Sequence, residues 1–209
     1  MFAFRLRSTV LLLTLLFGVV HLAKAQTGEV YFDVGTATDK STGQQIDTFG
    51  DGNLFSTPKM TGLFGGFGAA YMIKPTIGVG FEYFSRFAQG SYAGLNYRPR
   101  FYDFNAVWMP TPKTAKVVPV LQAGVGSAHL SFYYSQQFCD IFAGCSTSNS
   151  LIESSNHFQT HLGAGVNIYV KGNMFVRPQF DVHYVRNFFQ FGSNWSPAYS
   201  VAIGYTFGR

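Results

Sequence analysis

Charge is scarce in this chain of 209 residues: Asp, Glu, Lys and Arg together make up 12% of it, against roughly 25% in typical globular proteins. So few ions cannot clothe a water-facing exterior, and a soluble domain with a charged surface is excluded. Beyond residue 25 there is also no run of 18 consecutive apolar residues, so no helix is expected to cross a bilayer. Cysteine is limited to Cys139 and Cys145. What the chain has instead is 47% hydrophobic residues, with 23 Phe, 12 Tyr and 23 Gly. A chain this apolar buries its surface, which excludes disorder.

The first 25 residues read as an export signal. Arg5 and Arg7 form a basic start, Val10 to Val20 an almost uninterrupted apolar stretch, and Ala23-Lys24-Ala25 a small-x-small cleavage site before Gln26. The apolar stretch is too short to span a bilayer, which takes roughly 20 residues. Removing residues 1–25 leaves one domain, 26–209. It also takes away the positive charges of Arg5, Arg7 and Lys24, lowering the formal charge from +5 to +2. The basic character therefore gives no support to nucleic-acid binding.

The mature chain carries a period of two. From Pro197 onward Tyr199, Val201, Ile203, Tyr205 and Phe207 alternate with Ser200, Ala202, Gly204 and Thr206. The same rhythm runs through Phe158 to Val170 and through Val176 to Tyr184, where Pro178 removes a ladder donor and predicts a bulge or a strand end. Eight strands are expected, over 28 to 37, 61 to 72, 76 to 87, 95 to 108, 117 to 130, 158 to 170, 174 to 186 and 197 to 207. Thr38 to Met60 and Ser131 to His157 are expected to be long loops, and Lys171-Gly172-Asn173 a tight turn. The glycines of Gly62 to Gly68 lie within a strand and lack the helix start that a phosphate loop needs.

The less apolar face separates a soluble barrel from a membrane barrel. Here it consists of Gly, Ala, Ser, Asn and Gln with a few ions, which suits a confined interior rather than water. The apolar stripes carry Tyr83, Trp108, Tyr184, Tyr199 and Phe207 near strand ends, as interfacial girdles do. The expected fold is all-β, a transmembrane antiparallel eight-stranded up-and-down barrel. On the Pro119 to Gly126 strand, the Tyr102-Asp103-Phe104-Asn105 stretch and the ending Tyr199 to Phe207, the chain resembles the OmpA-like outer-membrane barrels of Gram-negative bacteria. Gly208 and Arg209 follow Phe207 where that family usually ends on an aromatic residue. The resemblance implies an outer-membrane location with both termini periplasmic, and a monomer whose partners are outer-membrane lipid or lipopolysaccharide and the barrel-assembly machinery. An extracellular ligand at the loops is a further expected partner. No cofactor and no metal are expected.

The inward parity gathers Glu82, Arg86, Asp103, His161, Arg177, Asp181 and His183 into an interior polar network. Ions in a narrow interior must pair, because an isolated buried charge costs several kcal/mol. This reads as a structural plug, with a small-solute pore as an alternative. Arg98 and Arg100 share the outward parity of Phe104 and sit near the long-loop end, where they leave the membrane or meet lipid phosphate. Cys139 and Cys145, in an exported chain, are expected to form a disulfide. His129 and Ser131 share one side of a strand and are the candidate catalytic pair. They resemble the His-x-Ser pair of PagL-type lipid A deacylases, though Phe132 stands where that family is expected to show Asn and Glu153 is the only nearby glutamate. The function expected is non-enzymatic, structural and surface-displaying, with the deacylase as a second alternative.

Overall fold

The computed structural model describes residues 27–39, 45–47, 50–111, 114–140, 144–188 and 191–209. The export signal expected over 1–25 lies outside these residues. Among the described residues there are eleven strands: β1 (Thr27–Ala37), β2 (Gln45–Asp47), β3 (Leu54–Ser56), β4 (Phe64–Met72), β5 (Ile77–Arg86), β6 (Gly90–Tyr92), β7 (Leu95–Trp108), β8 (Val117–Asp140), β9 (Gly144–Lys171), β10 (Met174–Val185) and β11 (Trp195–Phe207).

The expected eight-stranded up-and-down barrel is corrected by this count and by the pairing. Nine strands form one antiparallel sheet in the order β5-β4-β1-β11-β10-β9-β8-β7-β6, while β2 and β3 form a sheet of their own. At one end of the large sheet, β6 pairs only with the start of β7; at the other, β5 pairs with both β4 and β7. The strands β2, β3 and β6 escape the periodicity because each spans three residues, too few to display an alternation. The β6–β7 hairpin turns on Ala93 and Gly94, both at positive φ, the geometry of a two-residue turn that follows strand twist.

The stretch from Ser131 to His157, expected to be loop, is mostly strand. Pairing of β8 with β9 continues out to Asp140 and Gly144, past Asn96↔Tyr133, the last β7–β8 pair. The outer part is thus a free-standing ribbon, projecting roughly 20 Å at about 3.3 Å per residue. Its register shifts between Phe132 and Tyr133. Pro178 makes neither a bulge nor a strand end: it pairs with Val201 inside β10, and the shift in the β9–β10 ladder falls between Met174 and Phe175.

The two faces of the large sheet differ sharply. Along β11 the residues alternate between exposed Tyr199, Val201, Ile203, Tyr205 and Phe207 and buried Ser200, Ala202, Gly204 and Thr206. The outer face is apolar on β1 and β9 too, through Val30, Phe32, Val34, Leu162, Ile168 and Val170. The enclosed face is layered. At the short-turn end Tyr31, Met72, Val107, Val118, Tyr169 and Phe175 cluster, and at the long-loop end Met60, Phe64, Phe84, Tyr97, Phe101 and Leu130 do. Glycines make room for these rings: a methyl group on Gly68 would overlap Tyr31, and one on Gly204 would overlap Phe175. Small residues therefore line the wall so that large ones can fill the middle.

Candidate functional site

Between the two apolar clusters lies a buried polar layer. The amide nitrogen of Gln179 on β10 donates to Glu82 Oε1 on β5 at 3.1 Å and to both carboxylate oxygens of Asp181 at 3.0 Å. Glu82 Oε2 in turn accepts from the Tyr31 hydroxyl of β1 at 3.2 Å. On the other side Gln122 of β8 donates to Gln179 Oε1 at 3.4 Å, and Asn105 of β7 donates to Gln122 at 3.0 Å. A single hydrogen-bonded path thus runs from β7 through β8, β10 and β5 to β1, across the enclosed space.

His161 joins this path: its Nδ1 lies 2.9 Å from Asn105 Oδ1 and its Nε2 lies 3.0 Å from Asp181 Oδ1. His183 stacks on it, with ring centroids 4.8 Å apart, and on Phe101 at 4.5 Å. Asp103 accepts from Gln159 at 2.7 Å and faces His183 at 3.6 Å. Arg177 donates to Glu29 on β1, and its Nε donates to Asn167 at 2.5 Å. Its guanidinium also lies over the Tyr31 and Phe175 rings.

Of the interior residues expected from parity, Glu82, Asp103, His161, Asp181 and His183 come together, and Arg177 meets its partners one level nearer the short turns. Arg86 does not join them. It sits half-buried above the outer aromatic cluster, where Nη1 donates to the Tyr97 hydroxyl at 3.2 Å and to the Lys59 carbonyl at 3.4 Å. Its parity is inward, but its height on β5 carries it past the polar layer. Sequence reasoning missed Glu29, Asp33, Asn105, Gln122, Gln159 and Gln179. Glu29 and Asp33 were readable, since they alternate with outward Val30, Phe32 and Val34. Both oxygens of Asp33 are buried without a hydrogen-bond partner. Among the described residues no group of three or more His, Cys, Asp or Glu is placed to hold a metal ion.

The structure brings His129 and Ser131 together on the outer face of β8, with Ser131 Oγ 2.9 Å from His129 Nε2. The third member is Asn156 of β9, whose Oδ1 lies 2.7 Å from His129 Nδ1. The nearby glutamate does not orient His129: Glu153 pairs with Phe132, which packs against the interior cluster, so Glu153 belongs to the opposite face. An amide in the third position carries no charge to stabilise an imidazolium. Cys139 and Cys145 are cross-strand partners near the end of the β8–β9 ribbon and form a disulfide.

No protein-family profile and no curated protein matches the chain. Solved structures do. Neisserial surface protein A is 16% identical, over 86% of this chain and 97% of that one, with a TM-score of 0.53. A major outer membrane protein from Thermus thermophilus is 12% identical, over 88% and 100%, with a TM-score of 0.55. Ail, the attachment invasion locus protein of Yersinia pestis, is 13% identical, over 87% and 99%, with a TM-score of 0.51. The fold is one that outer-membrane proteins adopt. The resemblance to OmpA-like eight-stranded barrels is corrected accordingly, to a likeness of sheet architecture to outer-membrane proteins with a different strand count.

Proposed function

We propose that the protein is a non-enzymatic component of a bacterial outer membrane, exported by the signal over 1–25, with structural and surface-display roles. One observation carries this reading: side chains bond across the enclosed space from Asn105 to Tyr31, with an apolar cluster above and below. A molecule so filled offers solutes no passage, which argues against the pore. Its outer face meets hydrocarbon, because a continuous apolar and aromatic surface has no other stable surroundings in a monomer. The start of β1 and the end of β11 lie at the short-turn end, which faces the periplasm in this reading, and the β8–β9 ribbon stands out from the other side as the displayed element. Lipopolysaccharide surrounds the sheet, the barrel-assembly machinery inserts it, and an extracellular ligand would meet the ribbon.

Reconstitution in planar bilayers tests this. Silence is expected, with heat-dependent migration on SDS gels showing that the inserted protein is folded. Discrete, reproducible conductance steps would refute the filled interior, and recovery of the protein in the soluble periplasmic fraction would refute the membrane assignment.

A further inference from the structure

The outer face changes character abruptly near the long-loop end. One cross-strand row is apolar, Phe81–Phe104–Val125. The next is Tyr83–Tyr102–Ser127–Phe158, with the Tyr83 and Tyr102 rings 5.1 Å apart. Above it stands Ser85–Arg100–His129–Asn156, and above that Arg98–Ser131–Ser154. Arg186, exposed, is fixed at the Phe158 end of the aromatic row by its backbone N–H, which donates to the Phe158 carbonyl at 2.9 Å. Arg100 thus stands one row above the aromatic row, Arg98 two rows above it and Arg186 beside its Phe158 end, where the apolar surface stops.

Among the described residues no carboxylate on this face neutralises them. The ion pairs among those residues are His161–Asp181, Arg177–Glu29 and His183–Asp103, all on the enclosed face. Glu29, Asp33, Glu82, Asp103 and Asp181 are buried there as well. Glu153 shares the face of Phe132. Asp47 accepts from Gly50 and Gly52 within the β2–β3 hairpin. Arg98 Nε is buried and has no hydrogen-bond partner, a state that normally costs stability unless an acceptor arrives. A fork of fixed N–H donors is suited to bidentate contact with phosphate.

We propose that Arg98 and Arg100, flanked by Arg186, form a site for the phosphate of a phosphorylated membrane glycolipid, whose acyl chains lie along Tyr83, Tyr102 and Phe104. The hydrogen-bonded His129 and Asn156 lie in the same cross-strand row as Arg100 and add neutral polar groups at headgroup height. The aromatic row selects a lipid rather than a free anion, because inorganic phosphate gains nothing from it. This inference rests on the reading of the outer face as membrane-embedded and names the residues that the surrounding lipid contacts.

Native mass spectrometry of the full mature chain, released from detergent micelles, tests the site. Diphosphoryl lipid A, its dephosphorylated form and inorganic phosphate are the three probes. Wild type is expected to retain diphosphoryl lipid A with roughly tenfold or greater preference over the dephosphorylated form, and not to retain inorganic phosphate. An Arg98→Gln, Arg100→Gln double variant is expected to lose the preference, whereas Lys74→Gln at the opposite end of the sheet keeps it. If the double variant does not fold, Arg98→Lys with Arg100→Lys keeps the charge, removes the fork and is expected to lower the preference severalfold. Equal retention of both lipids by wild type, an unchanged preference in the folded variant, or competition by millimolar inorganic phosphate would each overturn the site. Heat-modifiability of the same samples separates this failure from that of the membrane reading: a heat-modifiable protein without lipid preference sinks only the site.

Discussion

Arg177 and Glu29, 148 residues apart in sequence, meet as a buried ion pair across the intervening strand β11. Each is about 1% exposed at the side chain, and Glu29 also accepts from Asn167 at 2.9 Å and from Thr206 at 3.3 Å. Glu29→Ala would leave the guanidinium buried without its counter-charge, a change that typically costs about 3–5 kcal/mol. The urea midpoint of the refolded protein in micelles is expected to fall accordingly. Glu29→Gln, which keeps an acceptor oxygen, should fall less. An unaltered midpoint for Glu29→Ala would mean that the pair does not form in the membrane.

The outward and inward parity of β11 makes an equally direct prediction. Ile203 is 60% exposed on the apolar face, whereas Ala202 is 1% exposed and is paired with both Asp33 and Arg177. Ile203→Arg places a cation in hydrocarbon, at roughly 2–4 kcal/mol near mid-membrane, and should reduce the heat-modifiable fraction recovered from outer membranes. Ala202→Ser adds a donor next to the unpartnered carboxylate of Asp33 and should assemble like wild type. Equal assembly of both variants would show the parity to be wrong.

This parity is legible because β11 has an enclosed side of small and polar residues and an apolar outer side, so its alternation survives in the residues themselves. The same logic places Arg98 and Arg100 outward. It fails on the β8–β9 ribbon for a physical reason: Gln136, Gln137 and the run from Cys145 to Ser150 are exposed whichever way they point, so no burial imposes a period of two. Because the ribbon reads as a loop, its register stays hidden in the sequence. The meeting of His129 with Asn156 rather than Glu153 depends on that register. Arg86 shows a second limit: alternation gives the face of a side chain but not its height above the polar layer.

The disulfide supplies a third prediction. Cys139 and Cys145 close a loop of few residues at the end of a ribbon with no other strand beside it. Such a short closure stabilises by at most about 2 kcal/mol, and here only locally. Replacing both cysteines with serine should leave the urea midpoint of the sheet unchanged. Proteolytic nicking near the ribbon tip should become faster. A drop in global stability would mean that the ribbon folds back onto the sheet.

The last prediction concerns Ser131. Its hydroxyl, bonded to an imidazole that is itself held by Asn156, has the outline of a nucleophile with a base. Two features argue that the bond orders the outer face rather than performs chemistry. The group that orients His129 is an uncharged amide, which gives little stabilisation to the imidazolium that proton transfer would create, and the one nearby carboxylate, Glu153, is on the other face of the ribbon. Ser131 is also 2% exposed, so a lipid ester would have to displace neighbouring side chains to reach it. Membranes containing lipopolysaccharide and the wild-type protein are therefore expected to give a lipid A mass spectrum identical to that of membranes without it, and Ser131→Ala should change nothing. Loss of one acyl chain in wild type, abolished by Ser131→Ala while the variant remains heat-modifiable, would make Ser131 the attacking group and overturn the non-enzymatic reading.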